Sequence, residues 1–342
     1  MASQNVTELE RKLQRFFATD NRFRFVKKLP SGATGNCVCF EERHPQTGNT
    51  RKIVLKYPGD DAETTLDAMK NEISWLRVLR HSNHIVKILT IQNGPNAGLR
   101  GLDSIFIILE FMENGSLGQF IDRSIDIELP NRILWSLFLC LVRACIAMAW
   151  PPQQQGQPEE PKPNVRPSSL AHWDMHGENL LLGRLGGISE HSLVPILKLI
   201  DFDNAAEVDK EIEPDPADKH AFDDELELER YRRRQGATSM GARANILDIG
   251  QIMARILCGD HSLDEGGCRE FIEHEYPLLD EDLQLLIVRC LAADPLNRPN
   301  LDELLERTLN AALSRTYRNT PYHKYETDAR VREIVQRCIL NA

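Results

Sequence analysis

The sequence predicts an α+β fold, rich in strands over its first third and mainly helical after it. Three observations carry that expectation. Short apolar runs of β type, Ile53-Val54-Leu55-Lys56-Tyr57 and Ser104-Ile105-Phe106-Ile107-Ile108-Leu109-Glu110-Phe111-Met112, fall in the first third. Residues 131–150 are almost continuously apolar, with Arg132 and Arg143 their only charged residues, and the run has the length of a helix and not of a strand. Further on, Asn179-Leu180-Leu181-Leu182 and Val194-Pro195-Ile196-Leu197-Lys198-Leu199-Ile200 read as the two arms of a hairpin.

In chain order, Thr7 and Glu10 form a capping-box pattern for a short helix with Leu9, Leu13 and Phe16 or Phe17 on its apolar side. Residues 29–38 hold Gly32 and Gly35 in what reads as a turn, where a missing Cβ lets backbone amides approach an anion. Lys56 interrupts a β run, so its ammonium points either into a site or out to water. The helix expected from Lys70 carries Glu72 and sets Ile73, Leu76 and Leu79 on one face. Residues 104–112 read as a buried strand running into Glu113-Asn114-Gly115-Ser116-Leu117, a turn and helix start. The 131–150 run has the length of a bilayer span, but its place immediately before a loop of polar, chemistry-bearing residues makes it a buried core helix. Near residue 246 another helix opens, and Asp294, Arg298 and Pro299 mark a turn after which Pro299 begins the last helix of the domain. A final helix over 328–340, apolar at Val331, Ile334, Val335 and Cys338, is expected to dock on the domain.

The chemistry is concentrated in His172-Trp173-Asp174-Met175-His176-Gly177-Glu178-Asn179 and Asp201-Phe202-Asp203. The hairpin brings Asn179 and Asp201 together, and two neighbouring oxygen ligands suit Mg²⁺. Asp174 sits in the loop as a proton acceptor. At this point the residues resemble the eukaryotic protein kinase family, with its H-x-D-x-x-x-x-N and D-F-G patterns. The resemblance implies a two-lobed fold, a strand-rich N-lobe over about 22–112 and a mainly helical C-lobe over about 113–315. Residues 1–21 and 316–342 are then helical extensions. It further implies ATP and Mg²⁺, with Lys56 on the phosphates and Glu72 bracing it. Gly32 and Gly35 take the second and third places of the glycine-rich loop, and Pro30 stands in the first. Glu110 to Met112 offer backbone groups to adenine, with Leu109 as gatekeeper. Asn179 and Asp201 hold the metal. Asp248 would tie the catalytic loop, and Arg298 of Asp294-Pro295-Leu296-Asn297-Arg298-Pro299 would pair with a glutamate of the activation segment.

The departures are as informative. Residues 151–167, rich in Pro and Gln, are expected to loop out to solvent, and residues 183–192 lengthen the hairpin. An acidic run over 207–229, closing in Arg230-Tyr231-Arg232-Arg233-Arg234, replaces a segment that would end in A-P-E, leaving Glu225, Glu227 or Glu229 as mates for Arg298. Trp173 stands where kinases read a phosphorylated loop through arginine, so activity is expected not to need phosphorylation at Thr238 or Ser239. His176 stands for a lysine and Asp203 for a glycine.

The reading that results is an ATP-dependent transfer of phosphate to a protein serine or threonine. The aminoglycoside and choline kinase type of small-molecule kinase, and a pseudokinase that only binds nucleotide or partners, remain alternatives. A formal charge of −10 argues against a general nucleic-acid binder, while Arg230 to Arg234 would suit an acidic partner or act as a weak nuclear import signal. Eight cysteines without a C-x-x-C pair, several of them within apolar runs, favour reduced, buried thiols over zinc or disulfides. No secretory signal is read at the N-terminus and no membrane association is expected, so the chain reads as an intracellular, cytoplasmic enzyme.

Overall fold

The five residues from Ile53 to Tyr57 are buried on both faces, which makes their strand an interior one. It is β3 (Thr50–Tyr57) of a four-stranded antiparallel sheet ordered β1-β2-β3-β4, with β1 Phe23–Lys28, β2 Asn36–Arg43 and β4 Ile107–Glu110. Lys56 lies opposite Cys37 on β2 and Ile107 on β4. The computed structural model describes residues 8–30, 35–44, 46–58, 62–91, 105–186, 189–208, 239–258, 267, 270–272, 276, 278–314 and 324–340. The chain divides into two compact units, residues 1–80 with 86–111, and residues 81–85 with 112–342.

In the strand-bearing unit, α1 (Glu8–Ala18) lays Leu13 and Phe17 into a core of Phe23, Val38, Phe40, Ile53 and Leu55. Its buried Glu10 accepts a hydrogen bond from the Tyr57 hydroxyl at 3.3 Å and pairs with Lys28 at 3.2 Å, which pins the helix to the sheet. Thr7, the expected cap, lies outside the described residues. The second helix, α2 (Ala62–Val78), begins well before Lys70. Its buried stripe is Thr65, Met69, Glu72 and Leu76, and the expected Ile73 is only half-buried. Leu76 and Leu79 are buried as expected, and the i, i+4, i+7 spacing runs through a carboxylate, which is why a search for apolar residues alone took Ile73 in place of Glu72.

The helical unit is organised by α4 (Asn131–Ala149), which follows α3 (Leu117–Ser124). Although α4 is long and apolar enough to cross a membrane, 89% of its apolar window is buried inside the protein, as a core helix requires. It packs against α5 (Met240–Cys258) and α7 (Leu301–Ser314). Helix α6 (Glu281–Cys290) is capped by Asp280, whose side chain accepts from the Asp282 amide. Helix α7 is not begun by Pro299. Asn300 caps it, its side-chain oxygen accepting from the Glu303 amide at 2.8 Å. Helix α8 (Asp328–Val335) continues as a wider-turned π-helix over Gln336–Leu340. It docks on the unit as expected: Glu326 accepts from the Asn131 backbone amide at 2.7 Å and Asn131 Nδ2 at 2.9 Å, and Arg132 pairs with Asp328 at 2.7 Å. A carboxylate at the start of α4 satisfies amides that Pro130, with no side-chain cap, leaves open.

Two short two-stranded antiparallel sheets belong to this unit: β5 (Leu170–Ala171) with β8 (Ala206–Glu207), and the hairpin of β6 (Leu180–Leu182) with β7 (Leu197–Leu199). Residues 151–167 correct the expectation of a solvent loop. Parts of the segment are exposed, but Pro152, Glu159 and Pro167 are buried, and the Trp150 indole donates to the Val165 carbonyl at 2.8 Å. Cys37, Cys39, Cys140, Cys145, Cys258, Cys290 and Cys338 are free thiols, and Cys268 lies outside the described residues.

Candidate active site

In the strand-bearing unit Lys56 is not solvated. Its Nζ lies 2.7 Å from Glu72 Oε2, the two residues being 6% and 1% exposed. An ion pair so dry is held because strand β3 and helix α2 fix both ends of it. Gly35 sits against it: a Cβ there would lie 2.9 Å from the Tyr57 carbonyl and 3.5 Å from the Lys56 side chain. Only glycine lets the backbone come this close. Gly32 lies outside the described residues. On β4, Glu110 is tied to Lys87 twice, its amide donating to the Lys87 carbonyl at 3.0 Å and its carboxylate accepting from the Lys87 amide at 2.8 Å. Met112 is buried and belongs to the helical unit.

In the helical unit the two runs pair as the hairpin expected from the sequence, with Leu180 opposite Leu199. The Ile200 amide donates to the Asn179 carbonyl at 2.9 Å, so Asp201 emerges beside Asn179. Asn179 Nδ2 donates to both the backbone carbonyl and Oδ2 of Asp174, each at 2.9 Å. That leaves the amide oxygen as the atom Asn179 can offer a cation. Two non-glycine residues adopt left-handed backbone here, Trp173 at φ 62° and Asp201 at φ 65°, conformations that cost on the order of 1–3 kcal/mol and persist where surrounding contacts hold them.

His172 supplies those contacts. Its buried ring donates from Nε2 to the Ile200 carbonyl at 3.0 Å and meets Phe202 edge-on with centroids 4.8 Å apart. Burial pulls its pKa down to about 4, so the ring is neutral and the hydrogen-bonded tautomer is fixed. Trp173 is exposed. His176 places Nε2 3.5 Å from Asp174 Oδ1, and its Nδ1 accepts from the Glu178 amide, capping the short 3-10 turn Gly177–Asn179. Asp203 is buried.

The tie that holds this loop is not Asp248. Asn245, fully buried on α5, accepts from the His172 amide at 3.0 Å and donates to the Leu170 carbonyl at 2.9 Å. An amide serves one backbone donor and one acceptor together, which a carboxylate cannot. Asp248, one helical turn further on, is half-buried. Burial pushes its pKa up to about 7 against the opposing charge of Arg298, with Asp174 adding to the rise. Sequence reasoning missed Asn245 because it sought an acid in that helix. Arg298 likewise departs from expectation, donating to the Ala292 carbonyl at 2.9 Å and the Arg243 carbonyl at 2.8 Å. Glu225, Glu227, Glu229 and the cluster Arg230 to Arg234 lie outside the described residues, as does Thr238. Ser239 caps α5, donating to the Ser168 carbonyl at 2.7 Å and accepting from the Ala242 amide at 3.2 Å.

A strand-rich unit carrying a buried lysine–glutamate pair, and a helical unit whose loop joins an aspartate to an asparagine and to a second aspartate, define the protein kinase fold class. Residues 23–183, just under half of the chain, match the family of protein tyrosine and serine/threonine kinases, which is consistent with the protein kinase superfamily. It is 31% identical over 110 residues to the serine/threonine-protein kinase CLA4 of Candida albicans, covering 32% of this chain and 10% of that one. It is 23% identical over 261 residues to CBL-interacting protein kinase 16 of Oryza sativa subsp. japonica, covering 74% of this chain and 49% of that one. The chain thus spans less than half the length of the curated relatives it matches.

Proposed function

We propose that the protein transfers the γ-phosphate of ATP to serine or threonine hydroxyls of a protein, with Mg²⁺ as the metal. The observation that carries this reading is the Lys56–Glu72 pair. Two charges buried 2.7 Å apart are no more stabilising than a well-packed apolar pair would be, so a sequence that keeps them is using the ammonium. In the proposed mechanism Lys56, oriented by Glu72, aligns the phosphates, with Gly32 and Gly35 bringing backbone amides to them. Glu110 and Met112 receive the adenine. Asn179 and Asp201 would hold the ion, which supplies charge neutralisation on the phosphates when bound. Asp174, its carboxylate steadied by Asn179, accepts the hydroxyl proton.

The test is incubation of the full chain with labelled ATP and either Mg²⁺ or Mn²⁺, alone and with general protein acceptors, in wild type, Lys56→Met and Asp174→Asn. Phosphate should appear on protein serine or threonine and fall by roughly 10²-fold or more in either variant. Turnover confined to added small hydroxylated metabolites would overturn the protein acceptor. Nucleotide binding without turnover would overturn catalysis.

A further inference from the structure

Apart from the catalytic loop, the helical unit brings three metal-ligating side chains together in its interior. His84, Cys140 and His191 are each no more than 1% exposed, and one donor atom from each lies within 4.8 Å of the others. They come from three separate places: the segment after α2, the middle of α4, and the 3-10 turn Ser189–His191 in the insertion that lengthens the β6–β7 hairpin. We propose that these three side chains form a buried zinc site that ties the insertion in the β6–β7 hairpin to the core helix.

The surrounding groups orient the donors as metal sites require. Glu159 accepts from His84 Nδ1 at 3.1 Å and from the His84 amide at 3.0 Å, so the His84 Nε2 lone pair points inward to the other two residues. A carboxylate behind a ligating histidine fixes ring and tautomer in this way. Glu159 is itself held, because Arg143 donates to its backbone carbonyl at 2.6 Å, and the other arm of Arg143 pairs with Glu190 at 2.7 Å, next to His191. The segment expected to loop out to solvent thus sends Glu159, and the insertion that lengthens the hairpin sends His191, into the same buried cluster.

His191 faces both partners, its Nε2 3.3 Å from His84 Nε2 and its Nδ1 4.0 Å from Cys140 Sγ, both at the long end for hydrogen bonds. One imidazole gives one nitrogen to one ion, and with a single donor taken from each residue the three atoms lie within 4.8 Å of one another. Zinc bonded to nitrogen at about 2.0–2.1 Å and to sulfur at about 2.3 Å sets its ligand atoms about 3.3–3.6 Å apart, so the three side chains close inward by about 1 Å when the ion binds. Two imidazoles and one thiolate suit Zn²⁺ rather than Mg²⁺, and the fourth position falls to water. The site would also brace the hairpin that delivers Asp201, because the His84 carbonyl accepts from the Leu199 amide at 2.9 Å.

The experiment uses the full chain without a polyhistidine tag, purified without chelator. Elemental analysis should give about one zinc per chain. After stripping, added Co²⁺ should produce the visible bands of a tetrahedral ion and a near-ultraviolet thiolate-to-cobalt band. Cys140→Ser should lose the thiolate band, and Glu159→Gln should weaken zinc binding roughly 10–100-fold. Should the variants not fold, the wild-type cobalt spectrum and the rise in melting temperature on returning zinc to stripped protein decide the question. Zinc at buffer level with no thiolate band would overturn the proposal and leave a relay of hydrogen bonds. So would full zinc content in Cys140→Ser and His191→Ala.

Discussion

Replacing Asp248 by asparagine should stabilise the protein, and only on the alkaline side. The carboxyl's pKa is raised from 3.8 to about 7, chiefly by burial. Between those values the folded state holds a proton that the unfolded state has released, so stability falls as pH climbs from about 4 to about 7 and is flat above it. The full shift corresponds to about 4 kcal/mol, and because the residue is only half-buried a measured gain of about 2–4 kcal/mol is expected. Asparagine has nearly the same shape and no charge to desolvate. Asp248→Asn should therefore match wild type at pH 3.5, exceed it by roughly a third of that margin at pH 5 and by the whole of it at pH 8.5, read by equilibrium denaturation at each pH. Asn245→Ala should do the opposite. It strands the His172 amide and the Leu170 carbonyl in the interior, at about 1–3 kcal/mol each and at every pH. If Asp248→Asn loses stability equally at pH 5 and pH 8.5, Asp248 is the tie and the assignment of that role to Asn245 is wrong.

Two further predictions concern the same loop. His172, its pKa depressed from 6.5 to about 4, contributes stability that is complete above pH 6.5 and lost as pH falls toward 4, about 3 kcal/mol over that window. His172→Phe should remove that slope from a pH series of melting temperatures, and an unchanged slope would place the titration elsewhere. Gly177→Ala would set a Cβ 3.1 Å from the backbone of Gly118, where no side chain can yield, and should cost about 1–3 kcal/mol while reducing turnover. Wild-type stability in that variant would show that α3 and the catalytic loop do not touch so closely.

The parts of the site that sequence reveals are those set by local patterning. The β3 run places Lys56, two apolar runs mark the β6–β7 hairpin, and that pairing puts Asn179 beside the residue preceding Asp201. What sequence does not reveal is where a polar side chain finds its partner across the fold. Asn245 reads as an unremarked amide until it is seen bonding two backbone groups of one loop. Arg298 matches a familiar ending, yet its guanidinium goes to two carbonyls. The largest error, residues 151–167, has the same origin. A Pro- and Gln-rich stretch lacks the apolar residues that bury a segment, so composition assigns it to solvent. One carboxylate, Glu159, reverses that, since it satisfies two backbone amides and a histidine at once and so offsets the cost of its own burial. Polar insertions are therefore anchored by single residues whose effect no window average registers: of the adjacent acids Glu159 and Glu160, the first is buried and bonded and the second is exposed.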